Sequence, residues 1–225
     1  MARATSPAAP PPTVATGTIF EQETIDRAIE ALSSRERRLA ALLRKFPPEP
    51  RERPTNLFSN LCRTVCAQML SNAAAKSIFG RIENLCGSRV SPRAIDALRD
   101  KMLREAGLSN AKVLALRSLA DHFREDGNVL SRAHELSDDE VAQTLLGIRG
   151  LGPWSVEMFM LFSLGRLDIY SARDAALANG LIKLKRLAKD SAPKRLDRLA
   201  QKYRPYRSVV SLALWKWRHN NWAAL

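Results

Sequence analysis

A glycine-rich connection between two helical patterns decides the fold, and it lies within residues 137–165. The stretch reads SDDEVAQTLLGIRGLGPWSVEMFMLFSLG. Ser137 followed by Glu140 predicts a capping box at the start of one helix, and Pro153 predicts the first residue of the next. Three glycines lie within 147–152, where a tight turn needs left-handed backbone angles. We therefore predict two helices joined by a tight turn, with the first helix over about 137–146 and the second beginning at Pro153.

The second helix of this pair begins directly after the glycines, so its free backbone N–H groups and positive dipole end point outward. That geometry attracts a phosphate group. Ile148 and Leu151 are expected to pack the turn against its own helices. A plain corner, in which glycine serves only to turn the chain, explains the same residues equally well. The basic excess of the chain favours the phosphate interpretation.

The chain has 225 residues, of which 45% are hydrophobic, and its net charge is +13. This composition excludes collagen-like, mucin-like and wholly disordered proteins. The charge predicts an anionic partner. Residues 181–225 alone contain twelve basic and two acidic side chains. A solvated helical face usually mixes both signs of charge, so we favour a surface that faces a polyanion.

Helical spacing extends along most of the chain. Apolar residues from Leu57 to Met69 recur every four positions, while alternating strand patterns are nearly absent. We expect an all-α protein of about nine or ten short helices, including helices over 57–70 and 72–84. By periodicity alone, Met69 is a core residue at the end of its stripe.

The remaining features concern the compartment and the ends of the domain. Residues 1–17 are small and proline-rich, which predicts a disordered tail before a helical domain over 18–225. No apolar run reaches membrane-spanning length. Three cysteines (Cys62, Cys66 and Cys86) fit a reducing compartment, so we expect a cytoplasmic protein, nucleoid-associated if bacterial. We also expect a monomer. Scattered histidines argue against a metal-dependent hydrolase.

Four segments within residues 55–219 match the motifs of one known family, and they occur in the same order. They are Ala67–Ser71 (AQMLS), Ile148–Glu157 (IRGLGPWSVE), Gly165–Asp174 (GRLDIYSARD) and Tyr203–Ser208 (YRPYRS). Together they resemble the helix–hairpin–helix (HhH-GPD) base-excision DNA glycosylases, and within these the AlkA-like 3-methyladenine DNA glycosylase II group in its short form without an N-terminal α/β domain. Four motifs in order are far more specific than one.

The resemblance implies two helical subdomains that flank an active-site cleft. One covers about 72–165, and the other combines 18–71 with 166–225. It also implies a monofunctional glycosylase that hydrolyses the N-glycosidic bond of alkylated purines, such as 3-methyladenine and 7-methylguanine, in double-stranded DNA. The target base must leave the stack before its bond to the sugar is accessible.

By the same resemblance, Asp174 is the catalytic residue. Its carboxylate would stabilise an oxocarbenium-like transition state and orient the attacking water. Without the resemblance, Asp174 and Asp168 are equally good helix caps, and we treat Asp168 as structural. Trp154 occupies the position where lyase branches of the superfamily carry a Schiff-base lysine. Without that amine we expect no lyase activity.

The substrate pocket implied by the resemblance is aromatic. An N-alkylated purine is cationic, and an indole or phenol ring attracts it by about 0.5–2 kcal/mol per good contact. Core packing at helical spacing is the alternative for Trp154 and Met158. The predicted substrate-binding residues are Trp154, Met158, Tyr206 and Gln68.

The resemblance also implies two DNA contacts. Met69 would enter the minor groove as an apolar plug, with Leu70 beside it. The hairpin would bind phosphate. The predicted hairpin residues are Arg149, Gly150, Gly152 and Ser155. No cofactor is expected for catalysis, but backbone carbonyls of the hairpin are candidates for a structural Na⁺, K⁺ or Mg²⁺ ion. These carbonyls belong to Leu146, Ile148 and Gly150.

Departures from the family pattern bear on substrate range more than on class. Arg149 replaces the usual hairpin proline, and Ala175 and Ala176 follow the aspartate where bulkier residues are usual.

Two other functions remain open. One is a non-catalytic helix–hairpin–helix protein that recognises distorted or abasic DNA. The other is a helical module whose basic face binds acidic proteins.

Overall fold

The computed structural model describes residues 16–125, 130 and 132–225, which contain helices and no strand. The all-α prediction is therefore confirmed, and most of the proline-rich tail predicted over 1–17 lies outside the described residues. The helices are α1 (Gln22–Ser33), α2 (Arg37–Lys45), α3 (Leu57–Ala67), α4 (Asn72–Leu85), α5 (Pro92–Ala97), α6 (Asp100–Glu105), α7 (Asn110–Glu125), α8 (Asp138–Leu146), α9 (Pro153–Phe162), α10 (Ala175–Lys185), α11 (Pro193–Ala200), a 3-10 turn (Gln201–Tyr203) and α12 (Arg207–His219). None of these helices is long and apolar enough to cross a bilayer.

Local sequence explains where several helices begin. Ser137 and Glu140 form the predicted capping box, in which each side chain bonds the backbone N–H of the other residue. Pro153 is the first residue of α9, as predicted. Ser91 caps α5, which starts at Pro92. These signals act over three or four residues, so they can be read without the tertiary structure.

Two hydrophobic clusters organise the packing. The first is built mainly from α3 to α9, and the second from α1, α2 and α10 to α12. The chain passes from the first to the second between Ile169 and Tyr170. Because Asp174 follows this crossing by four residues, the connection before α10 lies where the clusters meet.

Helix α3 belongs to a different subdomain from the one that we predicted. We expected residues 18–71 to pack with the second subdomain, but Phe58, Leu61 and Val65 lie in the first cluster. The reason is that one apolar face of α3 packs against α4, α7 and α9. Only α1 and α2 of that N-terminal range join the second cluster.

Candidate active site and DNA-binding surface

Asp174 is the N-cap of α10 and is half-buried. Its Oδ1 accepts the backbone N–H groups of Ala176 and Leu177, both at 2.9 Å. The cap explains why the helix begins here, because the carboxylate satisfies N–H groups that have no partner within the helix. A capping role and a reacting carboxylate are thus compatible in one side chain.

Two indole rings complete the surroundings of this carboxylate. Trp154 Nε1 donates to Asp174 Oδ2 at 3.1 Å, and Trp215 Nε1 donates to Oδ1 at 3.2 Å. Oδ1 therefore has three donors and Oδ2 has one. An ionised carboxylate accepts about four hydrogen bonds, and Oδ2 keeps acceptor capacity for a further group. The arrangement holds a negative charge in a fixed orientation beside aromatic rings.

Sequence reasoning missed Trp215. The residue lies in α12, 41 positions after Asp174, and no local pattern connects the two. Its ring stacks on Phe162 with centroids 5.3 Å apart. The guanidinium of Arg51 lies over the ring of Phe162. Trp215 packs against both hydrophobic clusters, so only the docking of α12 between them brings its N–H to the aspartate.

Asp168 has a structural environment, as we expected. Its two carboxylate oxygens accept the guanidinium groups of Arg204 and Arg207, each with a closest distance of 2.8 Å. Tyr206 lies between these arginines in sequence and is the N-cap of α12. It is half-buried and packs against both clusters. The ion pairs tie the connection before Asp174 to the start of α12.

Met158 and Glu157 follow Trp154 on α9. Met158 is buried, but among the described residues it belongs to neither hydrophobic cluster, so it is not part of either main core. Oε2 of Glu157 is buried without a hydrogen-bond partner in the described structure. Burial raises the pKa of this carboxyl, although Ser171 and Arg173 oppose the shift.

The turn after α3 presents Met69 to solvent. Helix α3 ends at Ala67 rather than near position 70, and Met69 is fully exposed with a left-handed φ of 57°. The prediction from periodicity that Met69 is a core residue is therefore wrong. The stripe of α3 stays buried through Val65, but the turn rotates the next apolar side chains outward. Leu70 is also exposed.

Gln68 connects this turn to the hairpin. Its Nε2 donates to the carbonyl oxygen of Gly150 at 2.9 Å and to Ser155 Oγ at 2.8 Å. Both N–H groups of the amide therefore have acceptors in the hairpin region. The structure thus brings together three of the predicted site residues, which belong to two distant segments.

Of the three hairpin glycines, Gly150 has the predicted left-handed backbone, whereas Gly147 and Gly152 have φ values of −70° and −106°. Gly150 has a φ of 90°, and a Cβ at this position would lie 2.3 Å from the Cβ of Ala115. Gly152 is the N-cap of α9 and offers no side chain to its N–H groups. Ile148 and Leu151 are buried, as expected, whereas Arg149 is exposed. The turn thus leaves the N-terminus of α9 uncapped by a side chain.

The three carbonyls considered for a cation lie along the same turn. The Ile148 oxygen accepts the N–H of Leu151 at 3.1 Å, and the Gly150 oxygen accepts Gln68. Leu146 is exposed. Each carbonyl has two lone pairs, so these bonds leave acceptor capacity. Carbonyl oxygens are among the ligands that hard cations prefer.

Two of the three cysteines, Cys62 and Cys66, lie in the first hydrophobic cluster. Cys62 and Cys66 are buried, and burial raises the pKa of the Cys66 thiol to about 12 and that of Cys62 well above its ordinary value. Both thiols therefore stay protonated at neutral pH. Within residues 16–125, 130 and 132–225, no group of three acidic, histidine or cysteine side chains could hold a metal ion.

Comparisons with known proteins agree with this geometry. Residues 62–205 match the model of the HhH-GPD superfamily of base excision DNA repair proteins. DNA-3-methyladenine glycosylase 1 of Schizosaccharomyces pombe is 29% identical over 192 residues, which are 84% of each chain.

Two solved structures give the same result. The S. pombe 3-methyladenine DNA glycosylase Mag1 in complex with abasic DNA superposes with a TM-score of 0.77 at 28% identity, over 84% of this chain and 95% of that one. A DNA-3-methyladenine glycosidase of Bacillus halodurans has a TM-score of 0.71 at 29% identity, over 84% and 88%. From the matched model, the motifs and the fold together, the chain belongs to the HhH-GPD superfamily of base excision DNA repair proteins.

Proposed function

We propose that this protein is a DNA glycosylase that removes alkylated purines from double-stranded DNA by hydrolysis. One observation carries the proposal: the Asp174 carboxylate is oriented by two indole N–H groups at the junction of the two clusters. Relatives named 3-methyladenine DNA glycosylases, one of them solved with abasic DNA, support the substrate class.

In the proposed reaction, the extruded base leaves with both electrons of its N-glycosidic bond. The deoxyribose then carries positive charge at C1′, and the Asp174 carboxylate stabilises that charge in a site from which bulk water is partly excluded. An alkylated purine is already cationic, so it departs as a neutral base and needs little help from a general acid. Water adds to C1′, releases one proton to solvent and yields an abasic site.

Aromatic rings would supply selectivity for a cationic base. Trp154, Tyr206 and Met158 are the candidate pocket residues, and Trp215 joins them through its contact with Asp174. A positively charged purine is attracted to the face of an indole or phenol ring more than a neutral purine is. This difference in attraction favours alkylated over normal bases, and it does not require hydrogen bonds that distinguish one base from another.

We also propose that the enzyme has no lyase activity. Trp154 stands at the hairpin position where a lyase would need an amine, and its indole N–H is bonded to Asp174. An indole nitrogen does not form a Schiff base with the sugar aldehyde. Borohydride should therefore trap no covalent complex between the protein and its abasic product.

The proposed DNA contacts are the hairpin and the exposed turn. The N-terminus of α9 with Gly150, Gly152 and Arg149 would bind backbone phosphate, and Met69 would fill the space left by the extruded base. A structural cation held by the hairpin carbonyls would bridge to the same phosphate. We propose action as a monomer in the cytoplasm.

The test is direct. Duplex DNA treated with a methylating agent is incubated with the protein, and released 3-methyladenine and 7-methylguanine are quantified by chromatography. Release of both bases supports the proposal. Binding of methylated and abasic duplexes with no release would instead support a non-catalytic helix–hairpin–helix protein. DNA binding that salt leaves unchanged would count against a phosphate-dominated mode.

A further inference from the structure

Lys112 lies on α7 and its ammonium group points at the turn that follows α3. Its Nζ donates to the carbonyl oxygens of Cys66 and Gln68, both at 2.9 Å. Among the described residues no carboxylate forms an ion pair with this lysine. Burial lowers the pKa of its ammonium group. The ammonium charge therefore interacts with the carbonyl groups at the C-terminal end of α3, where the helix dipole favours a cation.

The second of these carbonyls immediately precedes Met69. The peptide between Gln68 and Met69 leads into the left-handed backbone that turns the methionine outward. Two further backbone bonds hold the turn, from Gln68 N–H to Val65 and from Leu70 N–H to Ala67, at 3.3 and 3.2 Å. Since charge-assisted hydrogen bonds are stronger than neutral ones, Lys112 supplies the firmest anchor of this turn.

Helix α7 supports the hairpin as well as the turn. Ala115 is three residues after Lys112, on the same helical face, and its Cβ occupies the space beside Gly150. The side chain of Gln68 then joins the turn to the hairpin through Gly150 and the buried Ser155. The turn, the hairpin and α7 therefore contact one another in all three pairings.

We propose that Lys112 is a positioning residue that fixes Met69 relative to the phosphate-binding hairpin. It touches neither the base nor the sugar. By holding the Gln68 carbonyl, it sets the distance between the plug and the hairpin, so that phosphate binding and entry of the plug into the base stack occur in one docking event. This inference rests on the proposed function and assigns a residue that the sequence motifs did not include.

The experiment uses Lys112→Met, which keeps most of the aliphatic stem but removes the charge and the donors. The matched control is Lys101→Met on α6, an exposed lysine paired only with Glu105 at 3.8 Å among the described residues. Both proteins are assayed well below their melting temperatures. We expect Lys112→Met to slow single-turnover base release by about tenfold to a hundredfold, since small misplacements have costs of that order. Its affinity for undamaged duplex should stay within about twofold of wild type, because the phosphate contacts remain.

A second readout does not depend on base release. The duplex carries a tetrahydrofuran abasic analogue with 2-aminopurine next to it, so that insertion of Met69 changes the fluorescence. Wild type and Lys101→Met should give the full change, and Lys112→Met should give the reduced change of Met69→Ala. Lys112→Arg, which retains charge and donors, should restore part of the signal. A full signal from Lys112→Met would overturn the proposal.

A double-mutant cycle tests whether Gln68 and Lys112 act through one connection. Gln68→Met and Lys112→Met should each lower the insertion signal, and the double variant should be little worse than either alone. Fully additive losses would contradict a shared connection. If wild type released no methylated base, the proposed function would fail, while the fluorescence result would still decide the role of Lys112.

Discussion

The indole N–H of Trp154 donates to Asp174 Oδ2 at 3.1 Å, which joins the first turn of α9 to the first residue before α10. The hairpin that is proposed to bind phosphate and the carboxylate that is proposed to stabilise the sugar cation are therefore linked by a single hydrogen bond. Helix capping accounts for the backbone bonds to Oδ1, whereas the bond from Trp154 to Oδ2 is not needed for the cap.

Asp174→Asn should lower the rate of base release by about a hundredfold to a thousandfold, the range seen when one electrostatic contact to a transition state is lost. Asparagine is as good an N-cap as aspartate, so the fold should be retained. Thermal unfolding checks that retention, and single-turnover release of 3-methyladenine measures the rate. Release at the wild-type rate would remove Asp174 from the catalytic role.

Trp215→Phe should slow base release by about tenfold, because a hydrogen bond to a charged group contributes about 1.5–3 kcal/mol and the other donors remain. The phenyl ring can keep the stack on Phe162. The matched control is Trp217→Phe, which removes an indole N–H that donates to the Ala223 carbonyl. That control should lower stability without slowing release. Equal rates in both variants would argue against a role for the Trp215 N–H.

Gly150→Ala should destabilise the protein by about 2–4 kcal/mol. The added methyl group meets Ala115 and the residue must keep a positive φ, and both effects have costs of this order. The control is Gly152→Ala, because a Cβ there meets nothing within 4 Å. Denaturant unfolding should therefore separate the two variants.

Gly152→Ala should instead weaken DNA binding. Its new methyl group lies next to the free N–H groups of α9, where we propose that a phosphate approaches. We expect a loss of about tenfold in duplex affinity, equal to about 1.4 kcal/mol, measured by fluorescence anisotropy at two salt concentrations. Unchanged affinity would place the phosphate contact elsewhere.

Met69→Gly and Met69→Ala should reduce base release to a similar extent, since both remove the plug. Their stabilities should differ. The backbone at Met69 is left-handed and the side chain makes no buried contact, so glycine should be more stable than alanine there by up to about 1 kcal/mol. Release assays and thermal unfolding on the same preparations check both statements. A destabilised glycine variant would contradict the exposed, left-handed turn.

Glu157→Gln should change how stability depends on pH. Burial raises the pKa of the Glu157 carboxyl above its ordinary 4.5 in the folded state, so the folded protein binds this proton more tightly than the unfolded chain does. Stability from this group is present below about pH 4.5 and is lost as pH rises through the folded pKa. The glutamine variant lacks that loss, so the melting temperature of wild type relative to the variant should fall as pH rises from about 4.5 through the folded pKa and then level off. Parallel pH profiles would contradict this.

Local sequence determined where several helices begin and where the hairpin turns, because these features depend on contacts over three or four residues. The capping box of Ser137, the start of α9 at Pro153 and the turn at Gly150 all follow from local rules. The ordered motifs also identified Asp174 and Trp154, which the structure brings into contact.

Tertiary structure alone decided that Trp215 and Lys112, which no motif contains, join these sites. Trp215 reaches Asp174 because α12 packs between two clusters, and Lys112 reaches the turn before Met69 because α7 packs against α3. Periodicity failed at Met69 because a left-handed turn ends the helix before the apolar stripe does. Hydrophobic spacing predicts which face of a helix is buried. It does not predict which residues from distant parts of the sequence will contact that helix in the folded chain.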